Sequence, residues 1–286
     1  MCRMILQFCH NTMTLGKEDI RKQATHLKNM SLGKYTPYTY GDFSASSEYD
    51  QSSRLIHSDG FGIYARNNEG ERRKKFTRGV YSVGDGAIEQ AAGGAYVVMM
   101  HARLSTTGDS NEENIQPIDL DNIVGMHNGT VKGLEQNGKS DSHTIMAYFN
   151  RALSADAIDA RSLEKVCCEI AGRASHVSGM NLIIYAKRQD KIIVVSCYHA
   201  SAARSKKMKD YYTLHLMKGE TTNITSEGEG ESLDNHTLYI IDRKSGKITQ
   251  QKMKQLEALV EPEGRNQDKE ESGEEDAGGE EDAGEE

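Results

Sequence analysis

Cys2 carries the most reactive side chain near the start of this sequence, and it follows Met1 directly. Because cysteine is small, we expect an aminopeptidase to remove Met1 and leave a thiol and a free α-amine on one residue. An α-amine has a reference pKa of about 8 and a thiol one of about 8.5. The amine can therefore accept the thiol proton near neutral pH, which supplies a nucleophile and its base without a histidine. Taken alone, this cysteine also fits the commoner role of a small apolar residue near a terminus.

Three further segments carry groups that suit acyl transfer. Arg103 follows a buried apolar run at 95–100, where its forked guanidinium can hold a carboxylate. The side-chain amide of Asn128 and the backbone N–H of Gly129 are donors of the kind that stabilise an oxyanion. Asp141 precedes a helical pattern and can bind an ammonium group. Each segment has an ordinary alternative, which is a surface ion pair for the arginine, a type I′ hairpin turn for the Asn-Gly pair and a helix cap for the aspartate.

The order of these residues along the chain is more specific than any one of them. The segments that combine are Cys2, DGFGI at 59–63, HARLSTTG at 101–108, NIQPI at 114–118, HNGT at 127–130 and SDS at 140–142. Together they resemble the class II glutamine amidotransferase domain of the N-terminal nucleophile hydrolases. The resemblance is clear over residues 2–150 and fades toward residue 250. The sequence departs from the family pattern at Leu104, where a bulky aromatic residue is common, and at His143, where an acid is common.

The resemblance implies that the cysteine attacks the side-chain amide of glutamine. Ammonia then leaves, and water hydrolyses the γ-glutamyl thioester to glutamate. We expect no metal or cofactor, because the ten histidines show no HExxH or other ligand spacing. The implied roles are nucleophile for Cys2, oxyanion donors for Asn128 and Gly129, α-carboxylate contacts for Arg103 and Thr106, and an α-amino contact for Asp141.

Apolar patterns predict the elements that must position these residues. Strands at both ends of the chain, with helices collected in its middle, favour an α+β fold over a regular βαβ alternation. The resemblance implies the four-layer αββα sandwich of the N-terminal nucleophile hydrolases. Strands are predicted at 4–8, 61–65, 95–100, 123–126, 180–186, 191–197, 211–216 and 237–242, with a tight hairpin around 127–129. Helices are predicted at 17–30, 142–153, 161–175 and 250–260.

The end of the sequence has a composition of its own. Residues 261–286 carry thirteen acidic and two basic side chains and no large apolar residue. Such a segment cannot bury enough surface to offset the entropy of ordering, so we predict a disordered acidic tail. Its net charge of −11, set against −8 for the whole chain, leaves +3 for residues 1–260. We therefore expect a glutamine amidotransferase domain at 2–255 and a tail at 256–286.

Cysteine usage and hydropathy bear on the compartment. The five cysteines form no CxxC pair, which argues against a disulfide framework. The sequence also lacks an apolar run long enough for a signal peptide or a membrane span. These features predict a soluble, cytoplasmic protein. The basic clusters at 72–75 and 206–209 are interpreted as solvated turns, so binding to nucleic acid is not expected.

Three functions remain open at this point. The first is a stand-alone glutaminase that supplies ammonia to a separate synthase subunit. The second is a hydrolase of a γ-glutamyl amide or peptide, suggested by Leu104 and by the long tyrosine-rich loop at 31–58, which could widen the pocket. The third is a non-catalytic scaffold whose acidic tail binds a basic partner.

Overall fold

Two antiparallel sheets form the centre of this protein, and helices cover the outer face of each. The computed structural model describes residues 2–43, 50–105, 109, 111–155 and 158–261. Within them, the helix–sheet–sheet–helix arrangement confirms the expected α+β fold and its four-layer αββα sandwich. The acidic tail was predicted to be disordered, and its residues 262–286 lie outside the described part of the chain.

The described strands divide between the two sheets. The first sheet has the order β11-β9-β10-β1-β4-β2-β3, and the second has the order β13-β12-β8-β7-β6-β5. The strands of the first sheet are β1 (Cys2–Cys9), β2 (Phe61–Asn67), β3 (Gly70–Phe76), β4 (Val97–Arg103), β9 (His215–Met217), β10 (Thr221–Thr225) and β11 (Glu231–Ser232). Those of the second are β5 (Ile118–Asp119), β6 (Ile123–Lys132), β7 (His176–Ala186), β8 (Lys191–Ser196), β12 (Thr237–Asp242) and β13 (Ile248–Lys252). The helices are α1 (Lys17–Ser31), α2 (Asp85–Ala92), α3 (Asp141–Ala152), α4 (Ala160–Arg173), α5 (Lys206–Tyr212) and α6 (Lys254–Val260).

Side chains on the central strands point alternately to the two faces of each sheet and so form three apolar layers. Met4 on β1 and Ile183 on β7 belong to the core between the two sheets. Their neighbours point the other way, so Ile5 packs with α1 and α2, while Leu182 packs with α3, α4 and α6. Because successive side chains on a strand face opposite sides, a strand buried on both faces needs a continuous apolar run. The eight residues of β1 are accordingly all buried.

The Asn128-Gly129 pair lies inside a strand, and the predicted hairpin at 127–129 is wrong. β6 runs unbroken for ten residues and pairs with the longer β7. Gly129 has φ +140°, and a Cβ atom at this position would collide with the backbone of Gly179 on β7. The local turn preference of Asn-Gly is overridden because both flanking apolar runs gain more by pairing with β7 in one sheet.

Two further predictions differ from the structure. Residues 206–212 form α5, so the strand predicted at 211–216 is confirmed only near its end, in β9. The basic clusters lie in regular elements and not in turns, one in the edge strand β3 and the other in α5. Charged side chains on an edge strand discourage pairing with another chain.

The chain closes with a strand and a short helix. Where a single helix was predicted at 250–260, β13 ends at Lys252 and α6 begins at Lys254. The boundary expected at residue 255 falls inside α6, whose Leu256 and Val260 are buried in the core that also contains α3 and α4. Among the described residues, no helix has the length and apolar character needed to cross a bilayer.

We predict that two leucines on α6 differ sharply in their contribution to stability. Leu256 is fully buried, and Leu259 is 51% exposed. Leu256→Ala leaves a cavity and should lower the free energy of unfolding by about 2–5 kcal/mol, whereas Leu259→Ala should change it by less than about 0.5 kcal/mol. Urea denaturation of both variants measures the difference. Equal and small effects would show that α6 does not belong to the folded body.

Candidate active site

The first residue of β1 lies where the two sheets meet. Cys2 pairs with Arg103 of β4 in the first sheet. Its backbone nitrogen donates a hydrogen bond of 2.9 Å to Oδ1 of Asn128 on β6, in the second sheet. The first residue of β1 is thus fixed to both sheets at once, by strand pairing on one side and by a side-chain amide on the other.

Five of the six residues assigned to the site from the sequence lie together here. A cavity of about 20 Å³ is lined by Cys2, Arg103, Gly129 and Asp141, and Asn128 borders it through its bond to Cys2. The sixth residue, Thr106, lies outside the described residues. A volume of this size holds about one water molecule, so a larger substrate must displace some of the lining side chains.

Asn128 is oriented by the bond that it accepts. Because Oδ1 faces the backbone nitrogen of Cys2, the amide group Nδ2 points elsewhere. This nitrogen is buried and has no hydrogen-bond partner within the described ranges. Buried donors in proteins are nearly always paired, so an unpaired one beside a cysteine marks a position where an acceptor can bind. Gly129 follows with its left-handed backbone and no side chain to fill the space.

The segment after β4 is held by Asp59, which belongs to the DGFGI motif. The backbone N–H of Asp59 donates to the carbonyl oxygen of Arg103, and its Oδ2 accepts from the N–H of Ser105. Ser105 in turn accepts a bond of 2.9 Å from Nη2 of Arg103. The guanidinium is 3% exposed, so these contacts place a buried cation at the wall of the cavity.

Asp141 lies at the first residue of α3 with its carboxylate fastened by the backbone. Oδ1 accepts from the N–H of Ser142, and Oδ2 accepts from the N–H of Val131 on β6, each at 2.8 Å. The hydroxyl of Ser142 also lies 3.4 Å from Oδ1 and can donate to it. The residue is 3% exposed and faces the cavity, so its charge remains directed at the site.

His127 and Gln116 support this arrangement. The ring nitrogens of His127 lie 3.0 Å from Oγ of Ser142 and 3.2 Å from the carbonyl oxygen of Gly179. Its backbone N–H donates to Oε1 of Gln116 at 2.6 Å. The NIQPI and HNGT motifs therefore meet directly, and both hold β6 in place beside Cys2.

His101 lies beside Cys2, and the sequence interpretation did not include it among the site residues. It lies on β4 two positions before Arg103, and strand alternation puts both on the face that carries Cys2. Burial alone would raise the pKa of the Cys2 thiol, but the charges of His101 and of the amino terminus outweigh it and lower the pKa to about 6. The thiol sulfur also lies 3.9 Å from the carbonyl oxygen of Leu104. The i, i+2 spacing in HAR could have revealed this histidine.

The arrangement can perform nucleophilic attack on a carbonyl group. It offers a thiol that ionises near neutral pH, an unpaired amide donor for the resulting oxyanion, and a buried cation and a buried anion in the lining of the cavity. Within the described part of the chain, no group of three or more His, Cys, Asp or Glu side chains is placed to hold a metal ion.

We predict that alkylation of Cys2 by iodoacetamide follows a pH profile with a midpoint of about 6. The thiolate is the reacting form, so the rate should stay high at pH 7 and fall as the pH drops below the midpoint. His101→Gln removes the stabilising charge and should raise the midpoint by about 1–3 pH units. Mass spectrometry of the Cys2 peptide measures the rate. His176→Gln, at an exposed position on β7, is the matched control and should leave the profile unchanged. Midpoints near 8.5 in all three proteins would contradict this account.

Solved structures share this architecture at low sequence identity. One is the allosteric regulatory enzyme of purine biosynthesis, with 15% identity and a TM-score of 0.54. Another is glutamine phosphoribosylpyrophosphate amidotransferase from B. subtilis, with 13% identity and a TM-score of 0.52. In each case the alignment covers 88% of this chain and 49% of the other, so this chain spans about half the length of those enzymes.

A third structure matches over nearly its whole length. It is a glutamine aminotransferase class-II domain protein from Silicibacter pomeroyi, with 11% identity, a TM-score of 0.52, and coverage of 88% of this chain and 99% of the other. No protein-family model matches this sequence, and no curated protein matches it either. The structural likeness shows that the chain shares the fold of these glutamine amidotransferase structures.

Proposed function

We propose that this protein is a glutaminase of the class II amidotransferase type. In this proposal Cys2, exposed by removal of Met1, hydrolyses the side-chain amide of glutamine through a γ-glutamyl thioester. The ammonia passes to a separate synthase. The enzymes of similar fold that carry glutamine amidotransferase names support the reaction class.

The observation that carries the proposal is the shared contact at Asn128. The side-chain oxygen of Asn128 accepts a hydrogen bond from the nitrogen of Cys2. The side-chain nitrogen of the same residue is buried and has no partner among the described residues. After removal of Met1, the bonded nitrogen becomes the α-amine. A single side chain would then orient the base and supply the oxyanion donor. That coupling is useful only if a carbonyl carbon is attacked next to the thiol.

The reaction proceeds in two balanced halves. The α-amine of Cys2 takes the thiol proton, and the thiolate attacks the amide carbon of glutamine. The oxyanion accepts bonds from Nδ2 of Asn128 and from the N–H of Gly129, and the ammonium then returns its proton to the leaving nitrogen as ammonia departs. A water molecule, deprotonated by the same amine, attacks the thioester, and glutamate leaves as the thiol is restored.

Three residues are proposed to hold the amino-acid end of glutamine. Arg103 and Thr106 bind the α-carboxylate, and Asp141 binds the α-amino group. The buried guanidinium and the buried carboxylate line the same cavity, which supports binding of a zwitterion between them. Charged groups that are already desolvated and fixed by hydrogen bonds lose little entropy when the ligand binds.

The wall beside Leu104 favours glutamine over larger γ-glutamyl compounds. Leu104 is 7% exposed and packs in an apolar cluster with Tyr38, Tyr198 and Tyr211. A smaller residue than the aromatic one common in the family does not open a passage here, because the tyrosines fill the space behind it. Among the described residues, the widened pocket that a hydrolase of γ-glutamyl peptides would need is therefore not seen beside Leu104.

The ammonia needs an acceptor. The described residues form one sandwich around the site. We propose, as the resemblance of the sequence implies, that a separate synthase consumes the ammonia, so that turnover is low in isolation and rises when the partner is added. Strong turnover by the isolated chain, with no partner recovered by pull-down, would contradict this part of the proposal.

We predict that the processed chain converts glutamine to equal amounts of glutamate and ammonia. Cys2→Ala should abolish the reaction, and Asn128→Ala should lower kcat by about 10²- to 10³-fold because it removes one oxyanion donor. Asn122→Ala is the matched control, since this residue contacts Asn150 outside the site. Coupled assays of both products measure the rates.

Two outcomes of this assay would reject the proposal. One is glutamate formation that survives Cys2→Ala. The other is a panel in which γ-glutamyl conjugates are consistently preferred over glutamine, which would place the enzyme among the γ-glutamyl hydrolases.

A further inference from the structure

A second and much larger cavity lies on the other side of the first sheet. We name it the α1 groove, because it runs between α1 and the outer face of β9 and β10, near Tyr35. Its volume is about 880 Å³, within the range of small-molecule sites, and it shares no lining residue with the cavity at Cys2. The proposed glutaminase reaction makes no use of it.

The floor of the α1 groove contains polar side chains where a sheet face would ordinarily pack apolar ones. Thr225 on β10 pairs with His215 on β9, and both face outward because their neighbours Ile224 and Leu216 belong to the core between the sheets. Thr225 is 5% exposed, and its hydroxyl has no hydrogen-bond partner within the described ranges; the same holds for Nδ1 of His215. Buried polar atoms of this kind need a partner from outside the protein.

A carboxylate lies next to these two side chains. Glu227, 7% exposed, follows β10, and its Oε2 lies 3.2 Å from Nη2 of Arg3. Its Oε1 has no hydrogen-bond partner in the described part of the chain. Asp210 and Glu229 also line the groove and add negative charge, and Tyr35 forms part of its wall.

The charges and the aromatic ring that line the α1 groove favour a positively charged ligand. Carboxylates with free acceptor atoms favour ammonium or guanidinium groups, and an aromatic ring stabilises a cation further. Two basic side chains, Arg21 and Lys22, also line the groove, but Arg21 is already paired with Glu18 and Glu89. The four lining carboxylates, Glu18, Asp210, Glu227 and Glu229, outnumber these two cations. The groove is therefore suited to a small organic cation.

The groove is also connected to the nucleophile. Arg3 follows Cys2 directly, is fully buried, and stacks on the rings of Tyr38 and Tyr211 at 4.9 and 4.2 Å. Its ion pair with Glu227 links the floor of the groove to the start of β1. A cation bound at Glu227 competes with Arg3 for the carboxylate and so alters the restraint on Cys2.

We propose that the α1 groove binds a small organic cation bearing an amine or guanidinium group, through Glu227, Thr225 and His215, and that its occupancy changes the reactivity of Cys2. The second clause acts on the site of the proposed glutaminase, but the binding clause stands without it. The groove thus becomes a regulatory site, separate from the glutamine pocket.

Binding is tested by calorimetric titration of the full chain carrying Cys2→Ala, with agmatine and 1,5-diaminopentane as probes and 1,5-pentanediol as the neutral control. We expect saturable binding of at least one cation and none of the diol. Thr225→Val keeps the shape of the side chain and the Arg3–Glu227 pair, and should weaken binding about 2- to 10-fold. Glu227→Gln should weaken it by more than about 10-fold, and Glu231→Gln, at an exposed position on β11, should leave it unchanged.

Cation binding in the groove and its effect on Cys2 can be overturned separately. No binding of either cation, equal binding of the diol, or cation binding that both Thr225→Val and Glu227→Gln leave intact would overturn the site. If Glu227→Gln does not fold, Thr225→Val decides. Coupling is read from the alkylation rate of Cys2 with and without the cation, which does not require glutaminase activity. A rate unchanged at saturating cation would overturn the regulatory clause, whether or not the protein hydrolyses glutamine.

Discussion

The hydrogen bond between the nitrogen of Cys2 and Oδ1 of Asn128 is the contact on which the site depends. It joins the first residue of one sheet to the middle of a strand in the other. It also decides which end of the Asn128 amide remains available as a donor. The orientation of Cys2 and the position of the Asn128 amide nitrogen are consequently set by one contact, and neither can shift without the other.

The rest of the fold holds the two ends of that bond at a fixed separation. β1 is paired on both sides, by β4 and β10, so Cys2 cannot withdraw from the interface between the sheets. On the other side, β6 is locked to β7, and the close approach of Gly129 to Gly179 leaves no room for a side chain. Asp59 and Asp141 then fasten the segments that flank the cavity. Because the two sheets are tightly packed, the Cys2 thiol is held in a defined position.

Much of this could be predicted from the sequence, because apolar periodicity and ordered motifs are local signals. The helix at 17–30 and the buried strand at 95–100 are close to α1 and β4. The placement of Asn128-Gly129 could not be predicted, since the same dipeptide is a strong hairpin signal and only pairing with β7 overrides it. His101 was missed for a related reason, because its importance depends on which face of β4 meets Cys2. The α1 groove is formed by strands far apart in sequence, and no local pattern indicates it.

We propose that Cys2 acts as a processed N-terminal nucleophile oriented by Asn128. The most direct measurement is mass spectrometry of the N-terminus after reaction with a glutamine-analogue diazoketone. We predict that Met1 is absent and that the reagent forms a single covalent adduct on Cys2, at a rate reduced strongly by excess glutamine. Retention of Met1 in active protein, or labelling of another residue while Cys2 stays unmodified, would contradict the account.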